Sequence, residues 1–261
     1  MAQAEKKDGT VGKALEILDL VATAGRPIRF SDLLAQSPHP KATLYRFLQT
    51  LTNQGMLNYD EERQTYSLGL RLVRFAHAAW GQSSLAPVAS RHLDSLAEET
   101  GETLHLAQFD NGQVLYVDKR NAAKPVEMFA AAGKVGPAYC TGVGKAMMAF
   151  MEGERLERAL SQQAYLKYTD ATLTSSEALR AELETIRAEG FSYDREEHEP
   201  GIICIAAPIH SGGTRVIGAI SVTTTTDRRS LAELDELRPR LLKCATDIGE
   251  DAAAWQFPAY N

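Results

Sequence analysis

Two prolines in three residues, Pro38 and Pro40, force a turn, and on both sides of it the apolar residues keep a helical period. Upstream, Val11, Leu15, Leu18, Val21 and Ala22 recur at that spacing, with Ala14 and Ile17 widening the stripe. This predicts a first helix capped by Thr10 and ended by Gly25 and Pro27. Ser31 is placed to cap a short second helix through Asp32, Leu33, Leu34 and Ala35. Downstream, a third helix begins near Pro40, where a missing N–H costs nothing. It buries Leu44, Phe47, Leu48 and Leu51 and stops at Gly55. Residues 56–59 and 65–68 then flank a polar tip, Asp60 to Gln64, and predict a hairpin. Helix, short helix, turn, helix and hairpin form the order of a winged helix-turn-helix, whose third helix enters the major groove of double-stranded DNA.

Lys41, Thr43, Tyr45, Arg46 and Gln49 fall off the buried stripe of that third helix. Lys41 and Arg46 suit phosphate, and Thr43, Tyr45 and Gln49 suit base edges. Residues 1–80 hold 10 Lys and Arg against 8 Asp and Glu, while the rest of the chain holds 18 against 26. The overall charge is −6, so only the N-terminal part has a balance suited to a polyanion. The acidic wing tip argues against heavy phosphate contact there.

A chain of 261 residues accommodates two cores. The sequence divides into a DNA-binding domain at 1–68, a linker helix at 69–84 and a further domain at 85–261. In the last, an amphipathic helix from Leu85 ends at Gly101. Segments 103–109 and 113–117 flank Asp110-Asn111-Gly112, a hairpin turn. Val126 to Ala130 is expected as a third strand, Gly133 to Tyr139 as a loop, and Thr141 to Met151 as a helix. A helix over 176–189, three strands (191–195, 203–210 and 216–223) and a closing helix over 231–255 complete an α+β domain with a largely antiparallel sheet. No apolar run reaches membrane-spanning length, and the N-terminus lacks the apolar core of a secretion signal. With no such run, no membrane partner is expected; Cys140, Cys204 and Cys244 are few and widely spaced, which fits a reducing cytoplasm.

Three stretches resemble the IclR family of bacterial regulators over nearly the whole chain: residues 41–51 with Gly55-Met56-Leu57; Thr141-Gly142-Val143-Gly144-Lys145-Ala146; and residues 196–209 followed by Gly218-Ala219-Ile220-Ser221-Val222. The resemblance implies a GAF-like effector domain and a homodimer, often a pair of dimers. It also implies a pocket formed by Met128 on the third strand, Gly142 and Val143 at a helix start, then Asp194, Ile202, Cys204, Ser221 and Thr223. Tyr139 stands where many relatives carry histidine.

Two glycines at a helix N-terminus favour an anion, and Ser221 and Thr223 share one strand face. The expected effector is a small carboxylate: a keto, hydroxy or aromatic acid. The same glycines also serve close packing. Three other readings stay open here. Cys204 is a buried thiol, or an oxidant sensor, or with His198 a hydrolase pair. The segment around His198 is read as a solvated acidic loop in preference to a metal site, and His105 and His210 as packed histidines. No cofactor, metal ligand set or catalytic residue is expected. What results is a sequence-specific DNA-binding transcription regulator, repressor or activator, controlled by a small-molecule effector.

Overall fold

The computed structural model describes residues 9–125, 127–213 and 215–253, which fall into two compact units divided between Gly81 and Gln82. In the first unit, α1 (Thr10–Thr23), β1 (Ile28–Arg29), α2 (Phe30–Gln36) and α3 (Lys41–Asn53) precede a hairpin of β2 (Leu57–Asp60) and β3 (Thr65–Leu68). The short β1 pairs with β3, giving the sheet order β1-β3-β2. Ile17, Leu18, Val21, Leu33, Leu44, Phe47, Leu48, Leu51 and Tyr66 form its core, with Ile28 and Leu57. The winged helix-turn-helix order therefore holds.

Several local expectations are corrected. Gly9, not Thr10, is the N-cap of α1, and no side chain caps it. Helix α2 already starts at Phe30, so Ser31 lies inside it; Pro40 occupies the N-cap of α3 instead of its first turn. Val11 and Leu15 belong to the apolar period of α1 yet are 73% and 52% exposed, because the core uses only the Ile17, Leu18 and Val21 side. Helix α4 (Leu70–Ser83) follows the wing and runs across the division between the units.

The second unit places α5 (Ala86–Thr100) before a six-stranded antiparallel sheet of order β6-β5-β4-β9-β8-β7. Its strands are β4 (Thr103–Asp110), β5 (Gln113–Arg120), β6 (Val135–Pro137), β7 (Ser192–Arg195), β8 (Ile202–Ser211) and β9 (Arg215–Thr225). Helices α6 (Gly142–Met148), α7 (Gly153–Ser161) and α8 (Ser176–Glu189) lie between β6 and β7, and α9 (Leu231–Asp235) and α10 (Arg238–Ala252) follow β9. Asn111 and Gly112 both take positive φ between β4 and β5, as the hairpin signal required.

Strand alternation sorts the sheet into two unlike faces. Leu104, Leu106, Ile203, Ile205, Ile209, Ile220 and Val222 pack with α5 and α10 in one core. Ala107, Ala206 and Ala219 face the other way, against a core that includes Val143, Met147, Leu179 and Leu183. The first face is bulky and apolar; the second is small and, toward one end, polar.

The segment expected as a third strand is not one. Residues 127–130 form a loop, and Val126 lies outside the described residues. The expected loop at 133–139 instead contains β6, which extends the sheet beside β5. Helix α6 ends at Met148, not Met151, and α7 had no sequence expectation. The closing helix is two, because Pro239 starts α10 afresh at its first turn; Trp255 lies outside the described residues.

Candidate functional site

On α3, Lys41, Tyr45, Arg46 and Gln49 are exposed and Thr43 is half-buried. Lys41, Tyr45 and Gln49 recur every four residues and so share one face, while Arg46 lies further round the exposed side and Thr43 at its far limit, beside the buried stripe. Tyr45 is held from two sides. Its ring meets Phe30 of α2 edge-on at 6.2 Å, and its hydroxyl accepts a bond from Gln49 Nε2 at 3.3 Å. Arg46 lies over the Phe47 ring at 5.2 Å, leaving the guanidinium edge free to reach outward. The turn before α3 is fixed by His39, which bonds Glu16 of α1 at 2.8 Å. The structure thus presents four of the five residues on an open polar face, with Thr43 at its margin.

In the second unit, all eight effector candidates line one cavity: Met128, Gly142, Val143, Asp194, Ile202, Cys204, Ser221 and Thr223. Strand register explains why. Asp194 pairs with Cys204 and Cys204 with Thr223, forming one row across β7, β8 and β9. Ala206, Ser221 and His105 form the next row, across β8, β9 and β4. Cross-strand partners share a face, so these side chains make a common floor. Met128 reaches the cavity from a loop, not from a strand.

Helix α6 closes the cavity from above, and its glycines are sterically required. A Cβ on Gly142 would lie 2.5 Å from Cys204 Sγ, and one on Gly144 would lie 2.3 Å from the Ala138 carbonyl oxygen. Ser192 Oγ donates to the Gly142 carbonyl at 2.6 Å, and Thr141 Oγ1 to the Pro137 carbonyl at 2.8 Å. The start of α6 is therefore seated on the sheet at backbone distance. Its first N–H groups lie where no preceding turn can accept them.

Sequence reasoning missed three features of this site. His105 is not merely packed. Its Nδ1 lies 3.2 Å from Thr223 Oγ1, and its Nε2 is buried without a partner among the described residues. Burial first, and then Lys119, pull its pKa down to about 3, so the ring is neutral. Tyr116, whose ring meets His105 at 5.5 Å, is a second unforeseen wall residue. Third, the 196–199 segment is not a solvated acidic loop. Glu197 is 3% exposed and forms an ion pair with Lys145, itself fully buried in α6 and 3.4 Å from Glu182. His198 and Glu199 line the cavity. The sequence hint was a lysine inside an apolar helix, which burial allows only with a counter-charge. His210, by contrast, packs edge-on against Phe150 at 4.9 Å.

Asp194 makes no ion pair among the described residues; Oδ1 accepts the Glu197 N–H at 2.8 Å. Burial, and next the Glu197 carboxylate, raise its pKa from 3.8 to about 7. Burial likewise pushes the Cys204 and Cys140 thiols up.

A helix-turn-helix with an open polar recognition helix, joined to an α+β domain with an internal polar cavity, defines a DNA-binding transcription regulator with an effector-binding domain. Residues 10–61 match the IclR helix-turn-helix domain, and residues 77–250 match the family described as bacterial transcriptional regulator IclR C-terminal. The chain belongs to the IclR family. It is similar to the HTH-type transcriptional regulator XynR of Escherichia coli (strain K12), 32% identical over 89% of this chain and 92% of that one. Its fold is similar to the Thermotoga maritima IclR crystal structure (TM-score 0.75, 25% identity, 94% of this chain and 98% of that one). It is also similar to an IclR homologue from Microbacterium hydrocarbonoxydans complexed with 4-hydroxybenzoate (TM-score 0.80, 23% identity, 94% of this chain and 100% of that one).

Two outcomes follow from the buried charges. Lys145→Met leaves Glu197 buried without its cation and is expected to cost about 3–5 kcal/mol; the double variant Lys145→Met, Glu197→Leu recovers most of it in urea unfolding. For Asp194, a raised folded-state pKa means that the stability of the protonated acid is kept at low pH and lost as pH rises through about 7. Asp194→Asn removes this loss. Its stability relative to the unsubstituted protein should rise by about 2–3 kcal/mol between pH 5 and pH 8, measured by denaturant titration at each pH.

Proposed function

We propose that the cavity binds a small organic acid and that occupancy alters how a homodimer, or a pair of dimers, presents its α3 helices to an operator. The observation that carries this reading is the convergence of Asp194, Cys204, Ser221 and Thr223 with the start of α6 on one enclosed polar space. Hydroxyls and helix-terminal N–H groups are donors suited to a carboxylate. A second anion beside Asp194 is tolerated when that side chain holds its proton, as its raised pKa permits. The Microbacterium protein is similar in fold alone, and its ligand, 4-hydroxybenzoate, is an acid of the proposed class.

Val11 and Leu15 on α1, and Leu70, Val73 and Phe75 on α4, are exposed apolar side chains of the kind a second copy of the chain could cover. We assign Lys41 and Arg46 to phosphate and Tyr45, Gln49 and the marginal Thr43 to the bases. A domain division at 1–68, 69–84 and 85–261 fits this use of α4 as a connector, and the cytoplasm is where such a protein meets DNA.

The hydrolase and oxidant-sensor readings need a thiolate, and the burial that raises the Cys204 thiol disfavours one. Among the described residues, no group of three His, Cys, Asp or Glu side chains is arranged to hold a metal ion.

A thermal-shift screen of short carboxylic acids tests the effector class. An acid that binds the folded domain raises its melting temperature, and Ser221→Ala should abolish most of that rise; a library without a hit counts against the class. For DNA, Arg46→Ala should weaken binding to every sequence and reduce the slope of log K against log salt by about 1, read by fluorescence anisotropy. An unchanged slope removes Arg46 from the phosphate contacts.

A further inference from the structure

The cavity described above is too small to be the whole effector site. It offers about 30 Å³ of open space, enough for a water molecule or two. Its floor is polar, with Asp194, His105, Ser221 and Thr223, and Tyr116, Met128, Val143 and Ile202 supply apolar wall, but so small a space has no room for the body of an organic molecule. Sites for such molecules are mostly apolar with a few polar groups.

The missing room lies next door. An outer groove of about 520 Å³ is lined by Phe129, Val135, Pro137, Tyr139 and Tyr168. Two residues, His198 and Glu199, line both spaces and so form the partition between them. The His198 ring meets Phe129 at 5.1 Å and Tyr168 at 4.8 Å, edge-on to each. Both Glu199 carboxylate oxygens accept the Phe129 N–H, at 3.0 and 3.1 Å, which latches the 127–131 loop over the opening. The far wall is firm, because Tyr139 donates to the Leu166 carbonyl at 2.6 Å. Phe129 and Tyr168 are 36% and 46% exposed, and Lys134 Nζ lies over the Phe129 ring at 5.0 Å. The partition consists of two ring contacts and one shared backbone bond, a set that a ligand making equal contacts can replace.

We propose that the outer groove is the second half of the effector site. It takes the aromatic or extended apolar tail of an acid whose carboxylate lies in the inner cavity, with His198 and Phe129 swung aside to join the two spaces. This rests on the organic-acid reading and narrows it to acids with a flat tail long enough to cross the partition. His198 then lies along the tail instead of plugging the passage. Tyr168 supplies the stacking face, and Asp194 and the hydroxyls stay with the head.

The experiment is a ligand-observed NMR titration of the full chain with acetate, benzoate and cinnamate, repeated with Tyr168→Ala. Tyr168 is half exposed, so its removal spares the core. Cinnamate should bind roughly tenfold or more tighter than acetate, and Tyr168→Ala should cost cinnamate about fivefold or more while leaving acetate within about twofold. Affinities that ignore tail length, or a Tyr168→Ala loss equal for all three acids, overturn the proposal while leaving the organic-acid reading intact. A variant that changes the sedimentation coefficient but not the affinities shows a groove that docks another copy of the chain, and overturns it too. Silence of the unsubstituted protein toward all three acids overturns the organic-acid reading itself, and the tail site with it.

Discussion

The effector half of this protein is organised around a lysine that has no access to water. Lys145 enters the core from α6 and meets Glu197, and that pair binds the helix to the segment following β7. Once Glu197 is fixed, its N–H fixes Asp194, and its neighbours His198 and Glu199 fall at the cavity edge. Thr172 Oγ1 holds the Glu197 carbonyl at 2.6 Å, so the same point also anchors the loop before α8. A buried ion pair contributes little net stability over an apolar replacement, but it permits one arrangement of its surroundings and penalises the others strongly. Here that arrangement is the cavity.

The sheet supplies what the ion pair organises. Glycine at 142 and alanine at 206 let α6 approach until backbone and floor are in contact, and the polar side chains collect at the end of the strands where that contact opens. The neutral His105 continues the line of Ser221 and Thr223, and Ser221 Oγ lies 3.3 Å from Thr223 Oγ1. Each hydroxyl can reverse its donor direction, and the imidazole can exchange tautomers with them. This floor can meet an acceptor or a donor without moving a heavy atom.

The sequence disclosed periodic elements well and irregular ones poorly. The α3 stripe, the Asn111-Gly112 hairpin and the strands holding Cys204 and Ser221 follow directly from spacing and turn chemistry. Residues 127–130 failed because apolar content alone does not make a strand. Their partner side is taken by β6, whose Val135, Gly136 and Pro137 carry no strand period. Helices α9 and α10 share one apolar period in the sequence, and a proline inside a helical pattern can equally begin a new helix. The eight cavity positions converge, yet resemblance and not spacing supplied them. His105, Tyr116 and the Lys145–Glu197 pair escaped because they are distant in sequence and joined only by register and burial. Val11 and Leu15 show the converse limit: a helical period names an apolar face without saying what covers it.

One property of the six-stranded sheet has a consequence over generations. Along β8 and β9, neighbouring codons answer to different demands: 203, 205, 220 and 222 hold the helices behind the sheet, while 204, 221 and 223 meet whatever enters the cavity. A substitution at the second set leaves the first untouched. Single substitutions in a lineage of such chains can therefore reshape the lining of the cavity while the apolar packing behind the sheet is inherited whole.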